Sequence, residues 1–167
     1  MHFSTSILLL LSLFASSTLA SPVSSKRAAV LKKTSYANFQ ISDGVAGNAL
    51  AEVMAKFPID TAKLASIDPA DAKILSHARE TAEAAETDAF NPAIEAASGD
   101  AAAALQNGKI KNKVLKLQLE VMGLQIKQAQ GQDVSEKLAE EQKKLDKNVQ
   151  LDEGAKGEKA QGVNFSG

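Results

Sequence analysis

Downstream of Ser42 the apolar residues return every three or four positions, the spacing that lines one face of an α-helix. Ala49, Leu50, Val53, Met54 and Phe57 form the first such run, for which Asp43 is the expected N-cap and Pro58 the stop. A short turn capped by Asp60 leads to Ile67-Asp68-Pro69-Ala70-Asp71. There Asp68 caps, Pro69 takes the first helical position and Asp71 falls in the first turn. Ile74, Leu75, Ala78, Ala82, Ala85 and Ala89 then share one face, and Glu80 and Glu83 share the other. Phe90-Asn91-Pro92 predicts a break and a restart, with Asn91 as cap. Beyond it, Ser98-Gly99-Asp100 and Asn107-Gly108 punctuate an Ala-rich stretch, leaving the helix continuity between Pro92 and Lys109 open.

The segment GKIKNKVLKLQLEVMGLQIKQAQG carries two apolar faces. Ile110, Val114, Leu117, Val121 and Leu124 line one, and Leu115, Leu119, Met122 and Ile126 the other. Lys109, Lys113, Lys116, Glu120 and Lys127 make the polar stripe. A helix apolar on two sides belongs at the centre of a bundle, with Gln118 and Gln125 half-buried between the faces. Asp133 and Glu136 spell a capping box for a last helix whose stripe, Val134, Leu138, Leu145 and Val149, is narrow enough for an edge position. The expected fold is all-α: a bundle of four to five helices over residues 34–152 with disordered termini, the tail being 153–167, where apolar residues are few. Val53, Phe57, Ile74, Leu75, Leu117, Val121 and Leu124 are its expected core.

The N-terminal twenty residues change the setting rather than the fold. MHFSTSILLLLSLFASSTLA has a short apolar run and a small-residue end, the form of a secretory signal peptide, residues 1–20, cleaved after Ala20. Lys26-Arg27 follows in a Ser/Pro-rich stretch, so residues 21–27 are a candidate propeptide with cleavage after Arg27. No later stretch has the ~20 apolar residues of a transmembrane helix. An extracellular, secreted protein is expected, and Asn164-Phe165-Ser166 supplies a candidate glycosylation site at Asn164.

Composition then removes chemistries. The chain has no cysteine and no tryptophan, one tyrosine and two histidines, of which His2 lies in the signal segment and leaves His77. Thiolate zinc sites, papain-like catalysis and multi-histidine metal centres in one chain are thereby excluded. His77 precedes Glu80 in the reverse of the Glu-x-x-His order of di-iron bundles, and it reads as an exposed side chain beside the apolar stripe. Gly44 and Gly47 match neither a dinucleotide nor a P-loop pattern, and Asp43 would repel a phosphate; they are read as allowing close backbone approach. The net charge of −1 gives no drive toward nucleic acid, which is not an expected partner. Acidic residues predominate from Asp68 to Asp100, and Lys109, Lys111, Lys113 and Lys116 cluster downstream, a distribution that complementary helix faces explain. Glu80, Glu83 and Glu86 have hydrolase-like chemistry available, but acids at helical spacing form a solvated face more often than a catalytic pair. No catalytic, cofactor-binding or metal residue is therefore assigned, and no cofactor is expected.

The segments YANFQISDGVAGNALAEVMAKFP, ARETAEAAETDAFNPAIEAASG and GKIKNKVLKLQLEVMGLQIKQAQG resemble a family of cysteine-free small secreted proteins of filamentous ascomycete fungi, to which no biochemical function is assigned. More loosely, the chain is similar to the fungal hydrophobic-surface-binding and cell-wall mannoprotein group. The resemblance implies an extracellular interaction protein at a cell wall or host interface and gives no residue a role. The alternative expectations are an apolar ligand, such as a lipid, held beside the central helix with Gln118 and Gln125 facing it, and a carboxylate-based hydrolase.

Overall fold

The computed structural model describes residues 28–166. The signal segment, Ala20 and the Lys26-Arg27 pair lie outside the described residues. Elements follow in the order α1 (Tyr36–Phe39), β1 (Gly44–Val45), α2 (Ala49–Lys56), a 3-10 turn (Thr61–Ser66), α3 (Pro69–Ala85), a π-helical turn (Glu86–Phe90), α4 (Asn91–Ala96), α5 (Gly99–Ala129), α6 (Ser135–Gly154) and β2 (Lys159–Ala160). The fold is the all-α bundle that the periodicity predicts, with α5 central and packed against α2, α3 and α6. Both apolar faces of α5 are covered: Val114, Leu115, Leu117, Leu119, Val121, Met122, Leu124 and Ile126 are all buried, and Ile110 is half-buried. Of the expected core, Val53, Phe57, Leu75, Leu117, Val121 and Leu124 are buried and Ile74 is half-buried. Among the described residues no helix is long and apolar enough to cross a membrane.

Local signals hold where the cap and the helix are adjacent. The Asp68 carboxylate accepts from Ala70 N at 2.7 Å with Pro69 inside the first turn, and Asp60 accepts from Ala62 N at 3.1 Å. The capping box expected of Asp133 and Glu136 does not form: α6 starts at Ser135 with Val134 at the N-cap and no side-chain cap, and the Asp133 carboxylate is 3.5 Å from Ser135 N.

Other expectations are corrected as well. Asp43 does not cap α2. That helix begins six residues later, because Gly44 and Gly47 take φ of +91° and +107°, which turns the chain into a two-residue antiparallel bridge, Gly44 opposite Ala160 and Val45 opposite Lys159. Gly47 does permit a close approach, since a Cβ there would stand 2.8 Å from Lys156 Cα, whereas Gly44 has open space around it and serves by its φ alone. Phe90-Asn91-Pro92 does not break the helix either. The Asn91 N–H donates to Glu86 O, five residues back, and this wider turn carries the chain from α3 into α4 without a non-helical residue. The Asn91 side chain accepts from Lys109 Nζ instead of capping.

Asn107-Gly108, where the sequence leaves helix continuity open, lies inside α5, which runs unbroken over 31 residues. Gly108 is there because Gln161 O passes only 2.0 Å from where a Cβ would sit. Composition predicts disorder for the tail. The tail closes the fold instead. Ala46 N donates to Glu158 O, Gly157 N to Ala46 O and Gln161 N to Ala104 O, at 2.9 to 3.0 Å. Asn107 Nδ2 donates to Lys159 O, Ala160 is buried, and the Phe165 ring meets Tyr36 edge-on with centroids 5.7 Å apart. Backbone hydrogen bonds, which a count of apolar residues does not register, do most of this ordering.

Candidate functional site

Three arrangements of polar groups have enough structure to be candidate sites. The first is a charged seam along α3, α5 and α6. Arg79 donates to Glu83 at 2.7 Å and lies 3.1 Å from Glu120 and 3.3 Å from Glu80. Lys116 pairs with Glu86 at 2.7 Å, Lys137 with Glu120 at 2.9 Å and Lys144 with Glu141 at 2.8 Å. Leu117 lies under a cleft of about 330 Å³ between them. Hydrogen bonds to Glu120 and Glu141 hold the Lys137 and Lys144 ammonium groups above their usual pKa. Each carboxylate here already has a cation, so the pairs Glu80/Glu83 and Glu83/Glu86 are arranged for cohesion rather than proton exchange with a substrate. The complementary helix faces expected from the charge distribution are this seam. His77, expected to be exposed, is half-buried on α3, and among the described residues no group of three or more His, Cys, Asp or Glu side chains could hold a metal ion.

The second arrangement is buried. Lys111, 1 % exposed, donates to Asp43 O, Val45 O and Glu52 Oε1 at 3.0 to 3.1 Å. Tyr36 OH donates to Asn112 Oδ1, and Asn112 Nδ2 donates to Ala82 O, both at 2.8 Å. Burial pushes the Tyr36 phenol up to about 12. The Asp71 carboxylate, also buried, accepts from Val30 N and Leu31 N at 2.8 to 3.1 Å. These groups fasten α1, the loop around β1 and the N-terminal stretch at Val30–Leu31 to the bundle. From sequence Lys111 is only one member of a basic cluster, and Asn112 carries no expectation. A signal was present, because Asn112 stands in register with Leu115, Leu119, Met122 and Ile126 on the second apolar face.

The third is a groove between α2 and α6 of about 520 Å³, lined by Gly47, Asn48, Ala49, Leu50, Ala51, Met54, Val149, Asp152 and Glu153. Asp152 is 2 % exposed. Its Oδ2 accepts from Ala49 N at 2.8 Å, so a residue of α6 caps α2, while the adjacent Asn48 makes no side-chain cap. Asp152 Oδ1 is buried without a hydrogen-bond partner. Such a group is uncommon and costly, about 1–3 kcal/mol for a buried acceptor left unmet.

The residues singled out from sequence do not converge on one cavity. Gln118 is buried, and its Nε2 lies 3.6 Å from Met54 Sδ, on the bundle side of the α2–α6 groove. Gln125 is half-buried further along α5. Gly123 opens onto a different cleft, about 230 Å³ between α3 and α5, whose lining includes neither glutamine. Asn164 is exposed beside Gln40, Asp43 and Phe165. Asp152 itself was read only as the end of a helix.

Residues 31–164 match the domain of unknown function DUF8454. The chain belongs to that family. The match begins at Leu31, held by Asp71, and ends at Asn164, so the DUF8454 unit takes in the closing tail as well as the helices. Neither the curated proteins nor the solved structures include a match to the chain.

Proposed function

We propose that this DUF8454 protein is a secreted, non-enzymatic binding protein that works at a fungal cell surface or host interface. What carries the reading is the α2–α6 groove, where aliphatic side chains surround a buried carboxylate with one oxygen unmet. The carboxylates of the seam are neutralised by Arg79, Lys116, Lys137 and Lys144, which argues against the hydrolase alternative. The signal-like N-terminus and the resemblance to small secreted fungal proteins support the location, and Lys26-Arg27 supports maturation to Ala28. An apolar ligand remains the second reading, favoured by Leu50, Ala51, Met54 and Val149, and relocated from the Gln118–Gln125 side of α5 to this groove.

Native mass spectrometry of the protein recovered from the medium of its own host tests the proposal. A chain starting at Ser21 or Ala28 that retains a bound small molecule is the expected result. A retained Met1 overturns secretion. Turnover of a substrate that is lost in Glu83→Gln or Glu86→Gln overturns the non-enzymatic reading.

A further inference from the structure

The charged residues that line the α2–α6 groove are Asp152 and Glu153, and no lysine or arginine lines it. Asp152 is almost wholly buried, with one carboxylate oxygen on the Ala49 amide and the other on nothing. The amide and the positive end of α2 offset part of the cost of burying that charge. They leave the second oxygen without a donor, and a buried carboxylate is best served by a cation that also donates hydrogen bonds. Around it stand Leu50, Ala51, Met54 and Val149, a wall of aliphatic and thioether surface, and Leu50 remains 36 % exposed. The groove therefore pairs one acidic acceptor with an apolar trough, in a volume within the ~300–1,000 Å³ of small-molecule sites.

We propose that the α2–α6 groove binds a primary aliphatic amine, its ammonium on Asp152 and its alkyl chain along Leu50, Ala51, Met54 and Val149. The assignment rests on the binding reading above and deepens it by naming the ligand's chemistry. An alcohol would satisfy Oδ1 but leave the charge uncompensated, and a fatty acid would set carboxylate against carboxylate. Entry of the ammonium requires α6, which packs chiefly on α5 and touches α2 lightly, to shift at the Asp152 end of the groove, where Ala49 N holds the other carboxylate oxygen. Lys156 is the internal competitor, since its stem lies against Gly47 at the edge of the groove.

The test is titration of the 15N-labelled protein with n-octylamine, n-octanol and octanoate, followed by amide shifts. Saturable shifts at Leu50, Ala51 and Val149 are expected, with octylamine binding about tenfold or more tighter than octanol, a gap of ~1.4 kcal/mol. In Asp152→Asn, which keeps an acceptor for Ala49 N, the octylamine affinity should fall about tenfold to the octanol level while octanol is unaffected. Equal affinity for all three compounds, or shifts confined to other faces, overturns the proposal. So does a Lys156→Met variant that is destabilised in a protein that does not bind octylamine, because Asp152 is then met from within. Retention of a non-amine ligand in the natively recovered protein, with no octylamine binding, overturns the amine assignment and leaves the binding reading standing. Absence of both overturns the two together.

Discussion

The seam between α3, α5 and α6 and the groove between α2 and α6 share one helix and differ in how charge is met. In the seam five carboxylates, Glu80, Glu83, Glu86, Glu120 and Glu141, face Arg79, Lys116, Lys137 and Lys144 at 2.7 to 3.3 Å. In the groove Glu153 is exposed, and the far more buried carboxylate of Asp152 has one partner for two oxygens. A reader ranking clefts by the density of titratable groups would choose the seam. The comparison favours the opposite choice: side chains that satisfy one another have little left to offer a ligand, whereas a buried acceptor without a donor is costly to keep and is accounted for if something occupies it.

The largest contrast should appear when an apolar residue is truncated on each side. Leu117 is 6 % exposed beneath the seam, and Leu117→Ala should lower stability by ~2–5 kcal/mol in urea denaturation. Leu50, on the rim of the groove, is 36 % exposed, and Leu50→Ala should stay within ~0.5 kcal/mol. A comparable loss at Leu50 would mean that the groove wall is part of the core and not a surface kept for a ligand.

The buried network gives the next effect and bears on the same contrast from the satisfied side. With its phenol raised to about 12, folded Tyr36 keeps a proton that the unfolded chain releases above the usual tyrosine value near 10. Stability carried by this group is complete below pH 10 and declines as pH climbs through 12, by ~2–3 kcal/mol in all. Tyr36→Phe should cost ~1 kcal/mol at neutral pH, because Asn112 Oδ1 loses its donor, and should lack this alkaline decline. Lysines titrate in the same range in both proteins, so the difference between the two pH curves is the readout. Parallel curves would show the phenol to be less enclosed than its 2 % exposure indicates.

How much of this was legible in the sequence follows from the range of each interaction. Asp68-Pro69 and the two faces of α5 are signals carried by residues a turn apart, and the structure repeats them. The Asp43 cap failed because what sets that loop is its partner strand, more than a hundred residues away, at Lys159–Ala160. Gly108 leaves helix continuity open in the sequence and is a packing requirement imposed by Gln161. The tail looked disordered because its ordering comes from backbone bonds to α5 and β1, to which composition is blind. The seam was half visible, as acidic and basic blocks that would meet if the helices packed. The groove was not visible at all. Asp152 reads as one more acid on an edge helix, and only the arrival of Ala49 at one of its oxygens distinguishes it.

Within the seam, Glu86→Gln removes the 2.7 Å partner of Lys116 and the more distant charge near Lys113. The two side chains of the closer pair are 15 % and 19 % exposed, so solvent screens them only in part, and the cost should be ~1 kcal/mol at low salt. Raising the salt to about 1 M, where the Debye length is ~3 Å, should shrink that difference in denaturation experiments. A salt-insensitive loss would point to packing of the Glu86 stem instead of charge, and would weaken the description of the seam as an electrostatic clasp.

The smallest effect on stability is expected where the effect on binding is greatest. Asp152→Asn retains a carbonyl oxygen for Ala49 N and replaces the unmet oxygen with an amide that has no obvious acceptor, so the change exchanges one unsatisfied group for another and removes a buried charge. Stability should move by no more than ~0.5 kcal/mol. Asp152→Ala, which removes the cap of α2 as well, should cost ~1 kcal/mol, and thermal unfolding of the pair separates the capping oxygen from the idle one. If Asp152→Asn proves as costly as Asp152→Ala, then Oδ1 is bonded in solution, by a buried water or by Lys156. The distinction between a seam that is complete and a groove that waits for a ligand would then disappear.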